Sequence, residues 1–203
     1  MPMATSTQSA ISQHPAGSIW RRWDLHIHTP DTAREDQYDG WDSFVEALRD
    51  QKEVVVLGVT DYLSITNYEK LLAIKNSQGL GAIELLIPNI EFRIAPPTKK
   101  GHAINLHLLV DPSQSDHIER TKSALSRLAI TYQGQHFSCV PNELRNLGAR
   151  YDSSLDSEKQ KYSEGVNQFK IDLSVFRDWK STRNGYPITA LLQFLEATTG
   201  LQG

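Results

Sequence analysis

Apolar positions along the chain change their spacing several times, and each change marks an expected element. Residues 23–28 alternate, with Leu25 and Ile27 on one side and Asp24, His26 and His28 on the other, so they read as a strand that Pro30 ends. Trp41, Phe44, Val45 and Leu48 then recur at helical spacing, with Asp42 or Ser43 suited to a helix start. Residues 54–60 form a continuous β-branched run, as expected of a strand buried on both faces. The spacing predicts a second helix over about 65–76, with Tyr68, Leu71 and Leu72 inward and Gly79 as its stop. A third strand region covers 83–94 and is irregular at Pro88. Beyond that proline, Asn89, Glu91 and Arg93 face one way and Ile90, Phe92 and Ile94 the other. A Pro-Pro-Thr-Lys-Lys-Gly turn leads to a fourth strand over 102–110, where Asn105 and His107 oppose Ile104, Leu106 and Leu108.

Strand, helix, strand, helix, strand is the rhythm of a parallel α/β protein. From Ser113 the rhythm changes. Ile118, Leu125, Leu128 and Ile130 suggest a helix, and a short one is expected around 137–147. Residues 150–170 are charged and polar, a loop or surface helical insertion. Leu173, Val175, Phe176 and Trp179 look helical, and residues 187–197 read as a final helix with Pro187 near its first position and Leu191, Leu192 and Leu195 as its stripe. Residues 1–18 read as a mobile polar tail, without the basic start and apolar run of a secretory signal; His14 within it is a bystander.

Composition narrows the class further. A chain of 203 residues, 39% hydrophobic and 22% charged, has room for one sizeable core or for part of a larger domain. Its net charge of −3 supplies no general basic field for nucleic acid, although a local groove remains compatible. Cys139 is the only cysteine, so no intrachain disulfide forms and a reducing, cytoplasmic compartment is expected. No apolar run approaches a membrane span.

The candidate chemistry lies on the polar faces of the strands. Two His at i, i+2 just before a proline are placed to grip a metal ion. Asp61 follows the second strand, Glu91 lies on the third and His107 on the fourth. Each has a plainer reading: Asp61 as a helix cap, Glu91 as a partner of Arg93 or a surface Lys, His107 as a hydrogen-bonded core histidine. His102 and His117 read as structural, and His136 is open to either reading. Taken together, imidazole and carboxylate ligands suit zinc, manganese or iron better than calcium.

The stretches Asp24-Leu-His26-Ile-His28-Thr29, Gly58-Val-Thr60-Asp61-Tyr62, Pro88-Asn-Ile-Glu91 and Asn105-Leu-His107-Leu-Leu resemble successive motifs of the PHP (polymerase and histidinol phosphatase) domain. Residues 23–30 with 105–109 are most similar to the PHP domain at the N-terminus of TrlF-type AAA-like ATPases, large proteins associated with nucleic-acid processing and defence. The motifs cover 19–112, and 113–203 follow only loosely as a helical or insertion region of the same partial domain. The resemblance implies a distorted (β/α)7 TIM-like barrel, incomplete in this chain, with up to three metal ions and hydrolysis of phosphate esters. It implies His26 and His28 as ligands of one metal, Glu91 as a bridging carboxylate and His107 as a ligand of a second. Asp36, ahead of Asp31 and Asp39, is the expected ligand from the loop after the His-x-His. The family's second motif normally ends Asp-His; here Tyr62 takes that place, as a phosphate hydrogen-bond donor or weak phenolate ligand. Asp61 is then expected in the catalytic role of orienting ligands or taking a proton, with Arg93 and Asn105 holding phosphate oxygens.

The family's later motifs, an Ala-His-Pro-like strand and a Ser-Asp-x-His, do not occur, and no His follows His136. The chain therefore reads as the front part of a longer protein or a truncated copy, weak or inactive alone. No P-loop occurs, so an ATPase domain is expected only downstream. The expected partners are a phosphate-ester substrate and, in the family context, DNA or RNA. Two rival readings stand beside it: a non-catalytic PHP-like module that binds metal, nucleic acid or a partner, and an amidohydrolase-type metal hydrolase, against which the early Asp61 and Glu91 argue.

Overall fold

A computed structural model describes residues 20–33, 38–97, 99–101, 103–172, 174–175 and 188–189. Strand β1 (Arg22–His28), helix α1 (Gly40–Asp50), strand β2 (Val54–Tyr62), helix α2 (Thr66–Gln78) and strand β3 (Leu85–Ala95) follow one another as the hydrophobic spacing predicts. The apolar stripe of α1 buries Phe44, Val45 and Leu48, and α2 buries Tyr68 and Leu71. Gly79 ends α2 at φ +74°, a conformation that side-chain-bearing residues rarely adopt. β1 pairs parallel to β2, and β2 parallel to β3. The molecule is thus a mixed α/β protein built on a parallel sheet.

The fourth strand departs from the expected parallel order. β4 (Ile104–Val110) runs antiparallel to β3, with Glu91 directly across from His107 and Arg93 from Asn105. Only residues 96–103 separate the two strands, whereas a parallel return needs a crossover of about a dozen residues or more. A hairpin is the connection this length permits. His107 consequently sits mid-strand beside Glu91 and not at the C-terminal end of a parallel strand.

The second half keeps the helices expected near 137–147 and within 150–170 but differs elsewhere from its sequence reading. Helix α3 (His117–Ser126) stops before Leu128, and Ile130 belongs to an antiparallel hairpin of β5 (Ala129–Tyr132) and β6 (Gln135–Ser138). Gln133 and Gly134 turn that hairpin with φ of +49° and +77°. Helix α4 (Pro141–Tyr151) starts on its proline, and α5 (Glu158–Gln168) starts in a reciprocal cap between Ser157 and Gln160. The 150–170 stretch is therefore largely a helix, packed on α4 closely enough that a Cβ on Gly165 would lie 1.7 Å from the Leu144 carbonyl oxygen. Strand β7 (Lys170–Asp172) pairs parallel with the end of β3, on the edge that β2 leaves after Tyr62. Strand β8 (Ile188–Thr189) pairs antiparallel with β4, where a helix was expected over 187–197. The remainder of that expected helix, Leu173, Phe176, Trp179 and residues 1–19 lie outside the described residues.

The two faces of the sheet differ in chemistry. One carries Ile90, Phe92, Leu106 and Leu108, all at most 2% exposed, against the helical core. The other carries Thr60, Asn89, Glu91 and His107, equally buried but polar. Strands β1 and β4 lie three strand spacings apart, about 14 Å on a flat sheet. Yet the His26 and His107 rings meet at a centroid distance of 4.5 Å. Side chains stand roughly perpendicular to a sheet, so the sheet must curl toward the polar face for these rings to touch. No helix among the described residues is long and apolar enough to cross a membrane.

Candidate metal centre

The centre begins with an irregularity in β1. Asp24 pairs with Leu57 and Ile27 with Val59, so Leu25 and His26 together oppose the single residue Gly58. Such an extra residue is a β-bulge, which re-aims side chains and loosens the ladder. Gly58 makes the bulge possible: a Cβ there would lie 2.2 Å from the Leu25 carbonyl oxygen. The freed Leu25 carbonyl accepts a hydrogen bond from Asn89 Nδ2 at 2.7 Å, and the His26 amide donates to Asp24 Oδ1 at 3.1 Å.

His26 and His28 leave this segment toward the polar face. Their Nε2 atoms lie 3.1 Å apart, and they stand 3.7 and 3.5 Å from Glu91 Oε2. His107 Nε2 stands 4.0 Å from the same oxygen. Glu91 is oriented through its other oxygen, Oε1, which accepts from Asn105 Nδ2 at 2.7 Å. His28 stacks on the Tyr62 ring at 5.0 Å. One ligand atom from each of His26, His28 and Glu91 falls within a 4.8 Å group that could hold a metal ion.

The donor set fits a transition metal. Ligand atoms about 2.0–2.1 Å from a tetrahedral ion stand roughly 3.3–3.4 Å from one another, and the His26, His28 and Glu91 separations bracket that spacing. Imidazoles must be neutral to ligate, and the surroundings favour that form for His26 and His107. Burial lowers the His26 pKa, with Asp24 pulling partly back, and burial with the neighbouring His26 and His28 pushes His107 down to about 4. His107 Nε2 is buried and makes no hydrogen bond, and it lies outside the His26, His28 and Glu91 group. Zinc, manganese and iron all accept this set.

The other expected residues distribute differently. Asp36 lies outside the described residues. Asp31 turns to Trp41 Nε1 at 2.6 Å and Lys70 Nζ at 3.0 Å, tying the loop after β1 to the helices. Arg93 follows Glu91 on the polar face, and its buried Nε makes no hydrogen bond. Asn105, expected at a phosphate, gives its Nδ2 to Glu91. Tyr62 lines a cavity of about 410 Å3 beyond the centre, together with Asp31, Ser64, Arg145 and Tyr162. The helix residues in that wall belong to no motif and were not legible beforehand. His117 is a buried partner of the Tyr68 hydroxyl at 2.9 Å, a structural role as expected.

Asp61 lies between Thr60 and Tyr62, whose side chains face the centre, so alternation sends it to the opposite side. There it accepts from the Asn67 amide at 2.9 Å and Asn67 Nδ2 at 2.8 Å, satisfying the first turn of α2. Asp61 thus serves the helix start from outside it, the N-cap position itself being Ile65. Burial pushes its carboxyl up to about 7, with the Asn67 hydrogen bonds pulling the other way. A folded pKa above the unfolded 3.8 means the native state holds this proton more tightly. The stability so contributed is fully present below about pH 3.8 and is lost as pH rises through about 7. Denaturant titrations of wild type and Asp61→Asn from pH 4 to 8 are expected to show the difference, with wild type losing up to about 4 kcal/mol relative to the variant. Parallel pH dependences would remove the assignment.

No protein-family model matches this chain, and no curated protein matches it.

Proposed function

We propose that the protein is a metal-dependent phosphoesterase of the PHP type, with a centre built from His26, His28, Glu91 and His107. The observation that carries this reading is the convergence of imidazoles from β1 and β4 on one carboxylate oxygen of β3. Their order along the chain is that of the PHP motifs, and the curl of the sheet accords with a TIM-like barrel. Zinc, manganese or iron bound there would supply Lewis-acid charge for a phosphate and acidify water. The chain's own residues do the rest. His26 and His28 present their Nε2 atoms, Asn105 orients Glu91, and Tyr62 walls the adjoining cavity with its ring held against His28. Arg93 is the cation on the same face for a phosphate oxygen. A nucleotide or nucleic-acid ester and a neighbouring ATPase domain belong to this reading as its family context.

A metal-binding module without hydrolysis is the second reading, favoured by the commitment of Asp61 to α2 and of Asn105 to Glu91. The test is hydrolysis of bis(p-nitrophenyl) phosphate by protein loaded with Zn2+ or Mn2+, against protein stripped with a chelator. The expected result is stoichiometric metal with hydrolysis that chelation abolishes. Bound metal without hydrolysis selects the second reading; no bound metal sinks both.

A further inference from the structure

We propose that Asn89 is a positioning residue that fixes the tautomer of His107, leaving the His107 Nε2 lone pair directed at the candidate centre. Asn89 lies two residues before Glu91 on β3 and is 2% exposed. Its amide has three partners: Nδ2 faces the Leu25 carbonyl oxygen at 2.7 Å and Thr60 Oγ1 at 3.0 Å, and Oδ1 faces His107 Nδ1 at 3.1 Å. A backbone carbonyl only accepts, so the amide edge toward Leu25 must be the NH2. The reversed amide would set two acceptor oxygens against each other at hydrogen-bond distance. The carbonyl end is thereby directed at His107, and a carbonyl also only accepts. His107 Nδ1 must then carry the hydrogen, and in a neutral imidazole Nε2 is left as the acceptor. Polarity passes in one direction from a main-chain oxygen in β1, through one side chain in β3, to a ring in β4.

The same amide serves a second strand. The Leu25 carbonyl is free to accept from Asn89 because β1 bulges at Leu25 and His26, opposite Gly58. Asn89 therefore braces the bulge that aims His26 and sets the polarity of the ring that meets His26 at 4.5 Å. A group behind a metal-binding His that fixes its ring orientation is worth 10–100-fold in metal affinity. The purpose of the device rests on the metal-centre reading; the tautomer itself does not.

The test separates the two. In metal-free wild type, long-range 1H–15N correlation spectra of the imidazoles are expected to show His107 in the Nδ1–H form. An Nε2–H form there overturns the proposal whatever the metal affinity. Asn89→Leu keeps the bulk but offers no acceptor, so His107 is expected to move to the Nε2–H form or a mixture. Its Zn2+ affinity, measured by competition with a chromophoric chelator, is expected to fall about 10–100-fold. Thr60→Val removes one acceptor yet leaves the Leu25 carbonyl to pin the amide, and is expected to retain the Nδ1–H form. A folded Asn89→Leu with an unchanged tautomer also overturns the proposal. If that variant does not fold, the wild-type and Thr60→Val spectra decide. Nδ1–H in a wild type that binds no Zn2+ sustains the role of Asn89 while sinking the metal reading.

Discussion

The double replacement His26→Ala and His28→Ala is expected to remove most bound zinc or manganese, lowering affinity by on the order of 100-fold or more. Two of the atoms that surround Glu91 Oε2 disappear together, and what remains is one carboxylate and the more distant His107. Little structural damage should accompany the loss, because neither ring lies in the apolar core and the His26 side chain is only partly buried. Elemental analysis after gel filtration gives the metal content, and a melting curve of the metal-free protein reports the fold. Acid should release the metal too, since protons compete for the same nitrogens. With His26 below its ordinary value of 6.5 and His107 near 4, release should fall at a pH lower than an unperturbed imidazole would give. Full metal content in the double variant would eliminate this centre.

The second large effect is expected from Gly58→Ala, a change of one methyl group. The added Cβ would meet the Leu25 oxygen, carbon and Cα at 2.2, 2.5 and 2.6 Å, all main-chain atoms of a paired strand. No flexible side-chain end can retreat, so β1 itself must shift. The cost should be about 3 kcal/mol or more, at the upper end of what overpacking produces. The shift also moves the oxygen that holds Asn89 and the bulge that aims His26, so metal should be lost along with stability. Gly79→Ala is the control. It strains a positive φ but meets no atom within 4 Å, and about 1 kcal/mol is expected there. Equal denaturation midpoints for the two variants would show that the tight approach of Gly58 to β1 does not matter.

The first half of the fold was legible because alternation at 23–28 and 89–94, the unbroken β-branched run at 54–60 and the helical spacing at 41–48 each point to one kind of element. The errors came where connection length and turn chemistry outweighed periodicity. Residues 96–101 read as a turn, and a connection that short already dictates an antiparallel return. Leu128 and Ile130 extended a helical pattern on paper, but Gln133-Gly134 supplies the left-handed pair that a tight hairpin needs. At the centre, alternation was enough to place Glu91 with Asn89 and His107 with Asn105. Alternation also places Asp61 away from the centre, since it lies between two inward residues; motif order outweighed that signal. The bulge in β1 left no mark in the sequence beyond Gly58, whose role emerges only against the Leu25 main chain.

The buried polar layer on the curled face has an energetic corollary. Thr60, Asn89, Glu91 and His107 are as enclosed as the leucines on the other side of the sheet, and each gave up its water to get there. Their hydrogen bonds offset that desolvation, whereas apolar side chains of similar volume would not incur it. A sequence selected only to fold would fill this layer with branched aliphatics. Keeping imidazole, carboxylate and amide inside the curl is a standing trade of robustness for chemistry, concentrated where the ligand atoms meet.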